Sequence, residues 1–281
     1  MKIKSVNVEL TTVCNAKCSL CFRNRSGKII PKCYLDLDKF KSLDWENTDI
    51  EKFVLCGGFG DPILYPDLFG LVDFIHSMNK KFVLFTNGEP HNKKWWEKLA
   101  LLCNKNDEVI FGIDGIDPET HVKYRGTSFD KVVGNLKTFI EFGGPGNIQF
   151  IVFEHNERQL FELKTFKKEL GLKKNMRIIN SRIYSDVLRR PKLKTVIFLL
   201  KRNIESCFIF QGEPAIDTDA KVHVCCHLYN NYFLGDRRIE RYDTFEELKK
   251  SIYWNFDIVK RPAIWAGLTN YICNTCGRKC W

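Results

Sequence analysis

The sequence lacks any long hydrophobic run and any N-terminal targeting segment. No stretch approaches the roughly 20 consecutive apolar residues of a membrane-spanning helix. The N-terminus, MKIKSVNVEL, is too short and too polar for a secretory signal peptide, and its pattern is that of a strand. We therefore expect a cytoplasmic protein with no membrane partner.

Acidic residues are also fewer than basic ones, 34 against 44, which gives a formal net charge of +10. A basic balance suits an acidic protein partner, an anionic substrate or nucleic acid, but lysines on solvated helix surfaces produce the same balance. Net charge alone therefore does not distinguish between these functions. The 281 residues, 44% of them hydrophobic, suffice for one sizeable barrel-type domain and a small second domain.

Cysteine is abundant: there are twelve, clustered towards both ends of the chain. In a reducing compartment such a number favours metal ligation over disulfides. Cys14, Cys18 and Cys21 have the spacing C-x3-C-x2-C and follow a strand-like run that contains Glu9. A loop can place three such thiolates around one metal centre, and three ligands leave one iron of a cubane cluster open. The alternatives are a zinc knuckle, which usually needs four ligands, and buried cysteines without metal.

Hydrophobic patterning predicts a parallel α/β domain over residues 1–184, because strand-like runs alternate with amphipathic helices. The predicted strands are Lys4–Leu10, Lys52–Cys56, Phe82–Thr86, Glu108–Ile113, Gln149–Phe153 and Arg177–Tyr184. The predicted helices are Leu37–Leu43, Leu68–Asn79, Lys93–Cys103, Phe129–Glu141 and Arg158–Leu170. Six such units are too few for a closed eight-fold barrel.

Glycine-rich or polar segments follow the second, third and fourth predicted strands. They are Cys56–Pro62 (CGGFGDP), Thr86–Gly88 (TNG) and Gly112–Gly115 (GIDG), the last followed by Arg125. Each segment alone would be read as a turn or a surface ion pair. Their repeated position at the carboxyl ends of strands, where barrel sites are built, favours a ligand site.

The cysteine spacing and this series of segments resemble the radical SAM superfamily. The resemblance implies an open (β/α)6 partial barrel in which Cys14, Cys18 and Cys21 hold a 4Fe–4S cluster. The cluster's unique iron would bind the amino and carboxylate groups of S-adenosylmethionine (SAM). An electron would then cleave SAM to a 5′-deoxyadenosyl radical, which takes a hydrogen atom from a substrate.

The resemblance also implies which residues contact SAM. The glycine segment is similar to the family's GGEP motif, with Asp61 in place of glutamate and Phe59 in place of a glycine. TNG is similar to a ribose-side turn, and GIDG with Arg125 to a segment of members that carry a cysteine-rich C-terminal extension. Asp114 would take a ribose hydroxyl, and Arg125 would pair with the SAM carboxylate or a substrate acid. The implied SAM-binding residues are Gly58, Gly60, Asp61, Asn87, Asp114 and Arg125.

Three residues at the ends of the last two predicted strands are candidate catalytic groups. Glu154 follows strand five, and Arg182 and Tyr184 lie on strand six. Their side chains can move a proton or hold a hydroxyl. Because a strand alternates its faces, Arg182 and Tyr184 share one side, and whether this side faces the interior stays open.

The remainder is predicted as a basic connector, residues 185–206, and a cysteine-rich domain, residues 207–281. A predicted hairpin, Pro214–Val224, and a helix, Thr244–Trp254, precede a terminal C-x2-C-x3-C. The domain can supply four thiolates to a second metal centre, a pattern that zinc shares. It resembles the short "twitch" version of the SPASM extension, which implies an auxiliary 4Fe–4S cluster held by Cys207, Cys225, Cys273 and Cys276. Cys226 and Cys280 compete as ligands.

The resemblance implies net two-electron oxidation of an unactivated C–H position. In deoxy-scyllo-inosamine dehydrogenase and the anaerobic sulfatase-maturating enzymes, an auxiliary cluster accepts the substrate's electron. A flavodoxin or ferredoxin would supply the reducing electron. We favour a small molecule (cyclitol, sugar or nucleoside), because the first strand begins by about residue 4 and leaves no room for a leader-binding domain. The alternatives are a peptide or protein side chain, a nucleic acid, and a non-enzymatic metal-stabilised binding module.

Overall fold

The computed structural model describes residues 3–181, 185–193, 214–223 and 241–251. Several predicted site residues lie outside these ranges: Arg182, Tyr184, Cys207, Cys225, Cys226, Cys273, Cys276 and Cys280. Within the described ranges, none of the helices combines the length and hydrophobicity needed to cross a bilayer.

Strands and helices alternate along the described chain, as predicted. The strands are β1 (Ser5–Val8), β2 (Lys52–Leu55), β3 (Lys81–Thr86), β4 (Glu108–Gly112), β5 (Gly146–Val152), β6 (Arg177–Asn180), β7 (Ala215–Ile216) and β8 (Val222–His223). The α-helices are α1 (Phe22–Arg25), α2 (Leu37–Lys41), α3 (Leu68–Ser77), α4 (Lys93–Leu102), α5 (Pro118–Arg125), α6 (Phe129–Glu141), α7 (Leu163–Glu169) and α8 (Phe245–Lys250). Short 3₁₀ helices span Trp45–Asn47, Pro62–Leu64 and Glu157–Phe161.

The chain divides into two compact units. The first contains the described residues of Met1–Val13, Lys28–Phe82 and Ser206–Trp281. In it β1 pairs in parallel with both β2 and β7, and β7 and β8 form an antiparallel hairpin. The predicted hairpin is thus confirmed. The proposed boundary between barrel, connector and tail stays a prediction, and β7, from the predicted tail, pairs with the first strand.

The second unit contains the described residues of Cys14–Gly27 and Val83–Glu205. Its strands β3, β4, β5 and β6 pair in parallel in that order. One face of the sheet packs against α4 and α6, where the ring of Phe111 lies 5.0 Å from that of Trp96 and 6.0 Å from that of Phe139. The parallel α/β architecture predicted from the sequence is therefore confirmed.

Some local elements differ from the sequence prediction. The predicted helix Arg158–Leu170 is a 3₁₀ turn followed by α7, and the Gln159 side chain in that turn binds the Ile116 backbone N–H. Helix α5 was not predicted, because its sequence PETHVKYR has almost no hydrophobic periodicity. Cys56, which directly follows β2, is exposed because it lies on the face opposite buried Leu55.

Candidate functional site

The three clustered cysteines lie on one loop of the second unit, immediately before α1. Cys18 is buried, Cys14 and Cys21 are half-buried, and all three thiols are free of disulfides. The Cys21 backbone N–H donates to the Cys18 carbonyl at 3.1 Å, which makes a tight turn between the last two thiols. The loop thus presents three thiols within a short span of backbone.

This donor set fits a cluster that takes three protein ligands. Within the described ranges, no three His, Cys, Asp or Glu side chains already converge on one metal position, so the fit rests on donor chemistry and spacing. Burial raises the pKa of the Cys18 thiol, and the positive charge of Arg125 opposes that rise. A metal must therefore displace the thiol proton, as thiolate ligation requires.

The TNG turn after β3 contacts the cysteine loop. The Asn87 Nδ2–H donates to Asn15 Oδ1 at 2.9 Å and lies 3.9 Å from Cys14 Sγ. Asn15 in turn donates to the Glu89 carboxylate at 2.6 Å, and Glu89 accepts the Ser128 backbone N–H at the start of α6. The structure therefore brings predicted Asn87 to the cysteines. Asn15 and Glu89 were missed, and their adjacency to Cys14 and to TNG was the available signal.

Asp114 and Arg125 form a buried ion pair beside the same loop. The Arg125 Nε–H donates to Asp114 Oδ2, and the Ile151 backbone N–H donates to Asp114 Oδ1 at 2.5 Å. Burial raises the pKa of Asp114, and the Arg125 guanidinium opposes this rise. Asp114 is fully buried, and both its carboxylate oxygens accept hydrogen bonds. The roles expected for the pair, a ribose contact and a carboxylate contact, stay predictions.

Gly112 at the end of β4 makes room for the Arg125 guanidinium. A Cβ atom on Gly112 would lie 2.5 Å from Arg125 Cζ, closer than real side chains approach. The Arg125 backbone carbonyl also accepts the Cys18 thiol at 3.6 Å. Arg125 thus contacts both the sheet and the cysteine loop, and any side chain at position 112 would displace it.

In the first unit, the carboxylate of Glu9 holds the glycine segment after β2. It accepts the backbone N–H groups of Gly58 at 2.5 Å, Phe59 at 3.1 Å and Gly60 at 3.1 Å. Only 4% of Glu9 is exposed. Three charge-assisted hydrogen bonds to one carboxylate restrict the backbone of this segment strongly. The sequence analysis noted Glu9 only as part of a strand and did not identify this contact.

Asp61 caps the turn that follows the glycine segment. Its Oδ1 accepts the Ile63 backbone N–H at 3.2 Å, and 4% of the residue is exposed. The Asp61 backbone N–H donates to the Val13 carbonyl at 2.8 Å. Gly60 lies so close to Thr11 that a Cβ would fall 1.9 Å from the Thr11 carbonyl oxygen. Asp61 therefore has a capping contact, and its expected contact with the SAM ammonium stays a prediction.

Glu154 is the one predicted catalytic residue within the described ranges. Its carboxylate pairs with Lys192 Nζ at 2.7 Å and Arg189 Nε at 3.1 Å. The hydrogen bond from Lys192 lowers the pKa of Glu154, and the charge of Arg189 adds to this effect. A lower pKa makes the carboxylate a weaker base, so this environment suits an ion pair better than proton abstraction.

Comparisons with known proteins point to one superfamily. A family model of the radical SAM superfamily matches residues 8–166. An AdoMet-dependent heme synthase of Methanosarcina barkeri is 29% identical over 165 residues, 58% of this chain and 46% of that protein. Mycofactocin maturase MftC of Mycobacterium tuberculosis is 31% identical over 167 residues, 58% of this chain and 41% of that protein. The chain thus spans less than half the length of these two curated relatives.

Among solved structures, Streptococcus suis SuiB bound to S-adenosylmethionine resembles this chain with a TM-score of 0.67. The match has 15% sequence identity and covers 95% of this chain and 68% of that chain. At this identity the likeness concerns the fold, which is therefore the partial α/β barrel that the sequence resemblance implied.

Proposed function

The chain belongs to the radical SAM superfamily, and from this premise we propose that it is an oxidoreductase that removes two electrons from an unactivated C–H position of its substrate. The observation that carries the proposal is the loop of Cys14, Cys18 and Cys21, three reduced thiols of which Cys14 contacts Asn87 and Cys18 contacts Arg125. Family membership implies SAM and one 4Fe–4S cluster as cofactors. The auxiliary cluster and the net oxidation are parts of the proposal.

Cys14, Cys18 and Cys21 would hold the 4Fe–4S cluster, which would supply the electron for the cleavage of SAM to methionine and the 5′-deoxyadenosyl radical that takes a substrate hydrogen atom. The chain's own residues position this chemistry. The Asn87 amide can donate to the Cys14 thiolate, whereas the Cys18 thiol gives up its hydrogen bond to the Arg125 carbonyl when it loses its proton to become a ligand. The buried guanidinium of Arg125 adds positive charge beside thiolates that carry negative charge. The Asn15–Glu89 contact fixes the loop to the start of α6.

The tail completes the oxidation in this proposal. After hydrogen abstraction the substrate must still lose one electron and one proton. Cys207, Cys225, Cys273 and Cys276 would hold a second 4Fe–4S cluster that accepts the electron, and a protein base would accept the proton, with Glu154, Arg182 and Tyr184 as the candidate catalytic residues at the substrate. A flavodoxin or ferredoxin in the cytoplasm, where thiols stay reduced, would deliver the first electron.

A small molecule such as a cyclitol, sugar or nucleoside is the first candidate substrate, and a peptide or protein side chain is the second. The heme synthase among the relatives supports the first candidate, and the mycofactocin maturase favours the second. Anaerobic turnover with deuterium-labelled candidates of both classes separates them, because only the true substrate transfers deuterium to 5′-deoxyadenosine.

The cysteine loop itself is tested by replacing Cys14, Cys18 and Cys21 together by Ala. We expect this variant to form no 5′-deoxyadenosine with SAM and dithionite, and to retain about four irons per chain. Cys103→Ala is the matched control, because Cys103 is a half-buried thiol at the end of α4, and it should keep full SAM cleavage. Formation of 5′-deoxyadenosine by the triple variant would contradict the assignment.

A further inference from the structure

The second unit's sheet has a face opposite α4 and α6, which we call the Gln149 face and define by Phe85, Gly112, Gln149 and Arg177. In β5, Ile148, Phe150 and Val152 are fully buried, while Gln149 and Ile151 on the opposite face are half-buried. A Cβ on Gly146 would meet Leu136 of α6 at 3.0 Å, which shows that the even-numbered residues of β5 face the helices. The Gln149 face is therefore the more accessible one.

Strand register brings Arg177 to the carboxyl end of β4. Gly112 pairs with Gln149, and Gln149 pairs with Arg177, so these three residues lie in one row on one face. The Arg125 guanidinium lies against Gly112 on this same face. Arg177 is the first residue of β6, but the register of the strands aligns it with Gly112, the last residue of β4. Gly112 in turn lies against Arg125, which contacts the cysteine loop. Position along β6 alone would not have indicated this.

The Arg177 side chain differs from that of Arg125 in having no acidic partner among the residues that the structure describes. Its guanidinium carbon lies 5.2 Å from the centroid of the Phe85 ring. In the part of the chain that the structure describes, Arg177 forms no ion pair, and the residue is exposed. Arg125, by contrast, is neutralised by Asp114. An exposed guanidinium oriented by an aromatic ring retains its hydrogen-bond donors for a ligand.

We propose that Arg177 binds an oxyanion, a carboxylate or a phosphate, on the substrate of this enzyme. The proposal deepens the proposed function, because it assigns a charged group to the substrate of the same site. Arg177 donates its paired N–H groups to two oxygens of the anion, and the Gln149 amide, in the same row, donates to the anion or to a neighbouring hydroxyl. Phe85 holds the guanidinium plane and excludes water from one side.

The test measures anion binding to the full reconstituted chain by titration calorimetry. The probes are inorganic phosphate and succinate, each added in the absence and in the presence of SAM, with no reductant, so that no turnover occurs. We expect one of them to bind saturably, and Arg177→Gln to weaken that binding about ten- to a hundredfold, the usual effect of losing a charge-assisted hydrogen bond. Arg177→Lys keeps the charge and should lose less. Tighter binding of phosphate or of succinate identifies the chemical source of the oxyanion.

Arg158→Gln is the matched control, because Arg158 is an exposed arginine of the same unit on the 3₁₀ turn Glu157–Phe161, and it should bind the probes as wild type does. Three results would overturn the proposal: no saturable binding to the wild type, equal binding to Arg177→Gln, or binding that SAM abolishes. The last result would assign Arg177 to the SAM carboxylate instead. If the wild type makes no 5′-deoxyadenosine but Arg177-dependent binding persists, the proposed function fails and the oxyanion site stands.

Discussion

The carboxylate of Asp114 receives the Nε–H of Arg125 inside the second unit, where 13% of the arginine side chain and none of the aspartate side chain is exposed. The same arginine accepts the Cys18 thiol on its backbone carbonyl. The ion pair therefore connects the end of β4 to the loop of Cys14, Cys18 and Cys21. Its contribution to the free energy of unfolding can be measured.

Arg125→Gln should lower the free energy of unfolding by about 3–5 kcal/mol, because it leaves Asp114 as a buried charge without its partner. Urea denaturation under anaerobic conditions measures this change. The double variant Asp114→Asn, Arg125→Gln removes both charges and should recover a large part of the loss. Equal stability of Arg125→Gln and the wild type would show that the pair contributes nothing.

His121 should make the protein less stable in mild acid. Burial, followed by the charge of Arg125, lowers the pKa of His121 from 6.5 to about 4, and its Nε2 lies 2.9 Å from Thr127 Oγ1. Between these two pKa values the unfolded chain binds a proton that the folded chain does not. The free energy of unfolding therefore falls as the pH decreases through this window, by at most about 1.4 kcal/mol per pH unit.

The measurement for His121 is urea denaturation from pH about 7 to about 5, comparing the wild type with His121→Gln. The variant cannot take up this proton, so its stability should decrease less steeply with falling pH. Parallel curves for the two proteins would rule out a contribution from His121.

Glu9→Gln should weaken SAM binding about tenfold while leaving the iron content unchanged. The amide replaces one accepting oxygen with an NH₂ group that faces a backbone N–H, so the glycine segment loses charge-assisted hydrogen bonds and shifts. Equilibrium dialysis with SAM and iron analysis give the two readouts. Glu51→Gln is the matched control, because Glu51 is an exposed acid of the same unit paired with Lys4. Unchanged SAM affinity in Glu9→Gln would contradict a positioning role.

The tail cysteines give a fourth prediction. Cys276→Ala should still cleave SAM but should complete little substrate oxidation, because the substrate's electron loses its acceptor. Cys280→Ala should behave as the wild type, with about eight irons per chain against about four in Cys276→Ala. Iron analysis, 5′-deoxyadenosine and oxidised product are measured for each variant. Loss of the auxiliary irons in Cys280→Ala, with their retention in Cys276→Ala, would exchange the two assignments.

The sequence by itself determined the family and the alternation of strands and helices. The C-x3-C-x2-C motif lies within eight consecutive residues, so the sequence alone shows that one loop can present three thiols. The predicted helix Phe129–Glu141 matches α6 at both ends, because a hydrophobic stripe and Ser128, which caps the helix by accepting from Lys131, are signals within one segment. Strands β1 to β6 were found for the same reason, each within a few residues of its predicted ends.

Only the tertiary structure decided what the polar side chains contact. The ion pair of Asp114 with Arg125 was not foreseen, and Glu9 accepts the backbone N–H of Gly58, 49 residues later in the chain. The alignment of Arg177 with Gln149 and Gly112 depends on the register between strands. Hydrophobic periodicity in the sequence indicates which face of a helix or strand is buried. A hydrogen bond or ion pair between two side chains instead depends on distances between segments that are far apart in the chain. Those distances exist only once the strands have paired and the helices have packed.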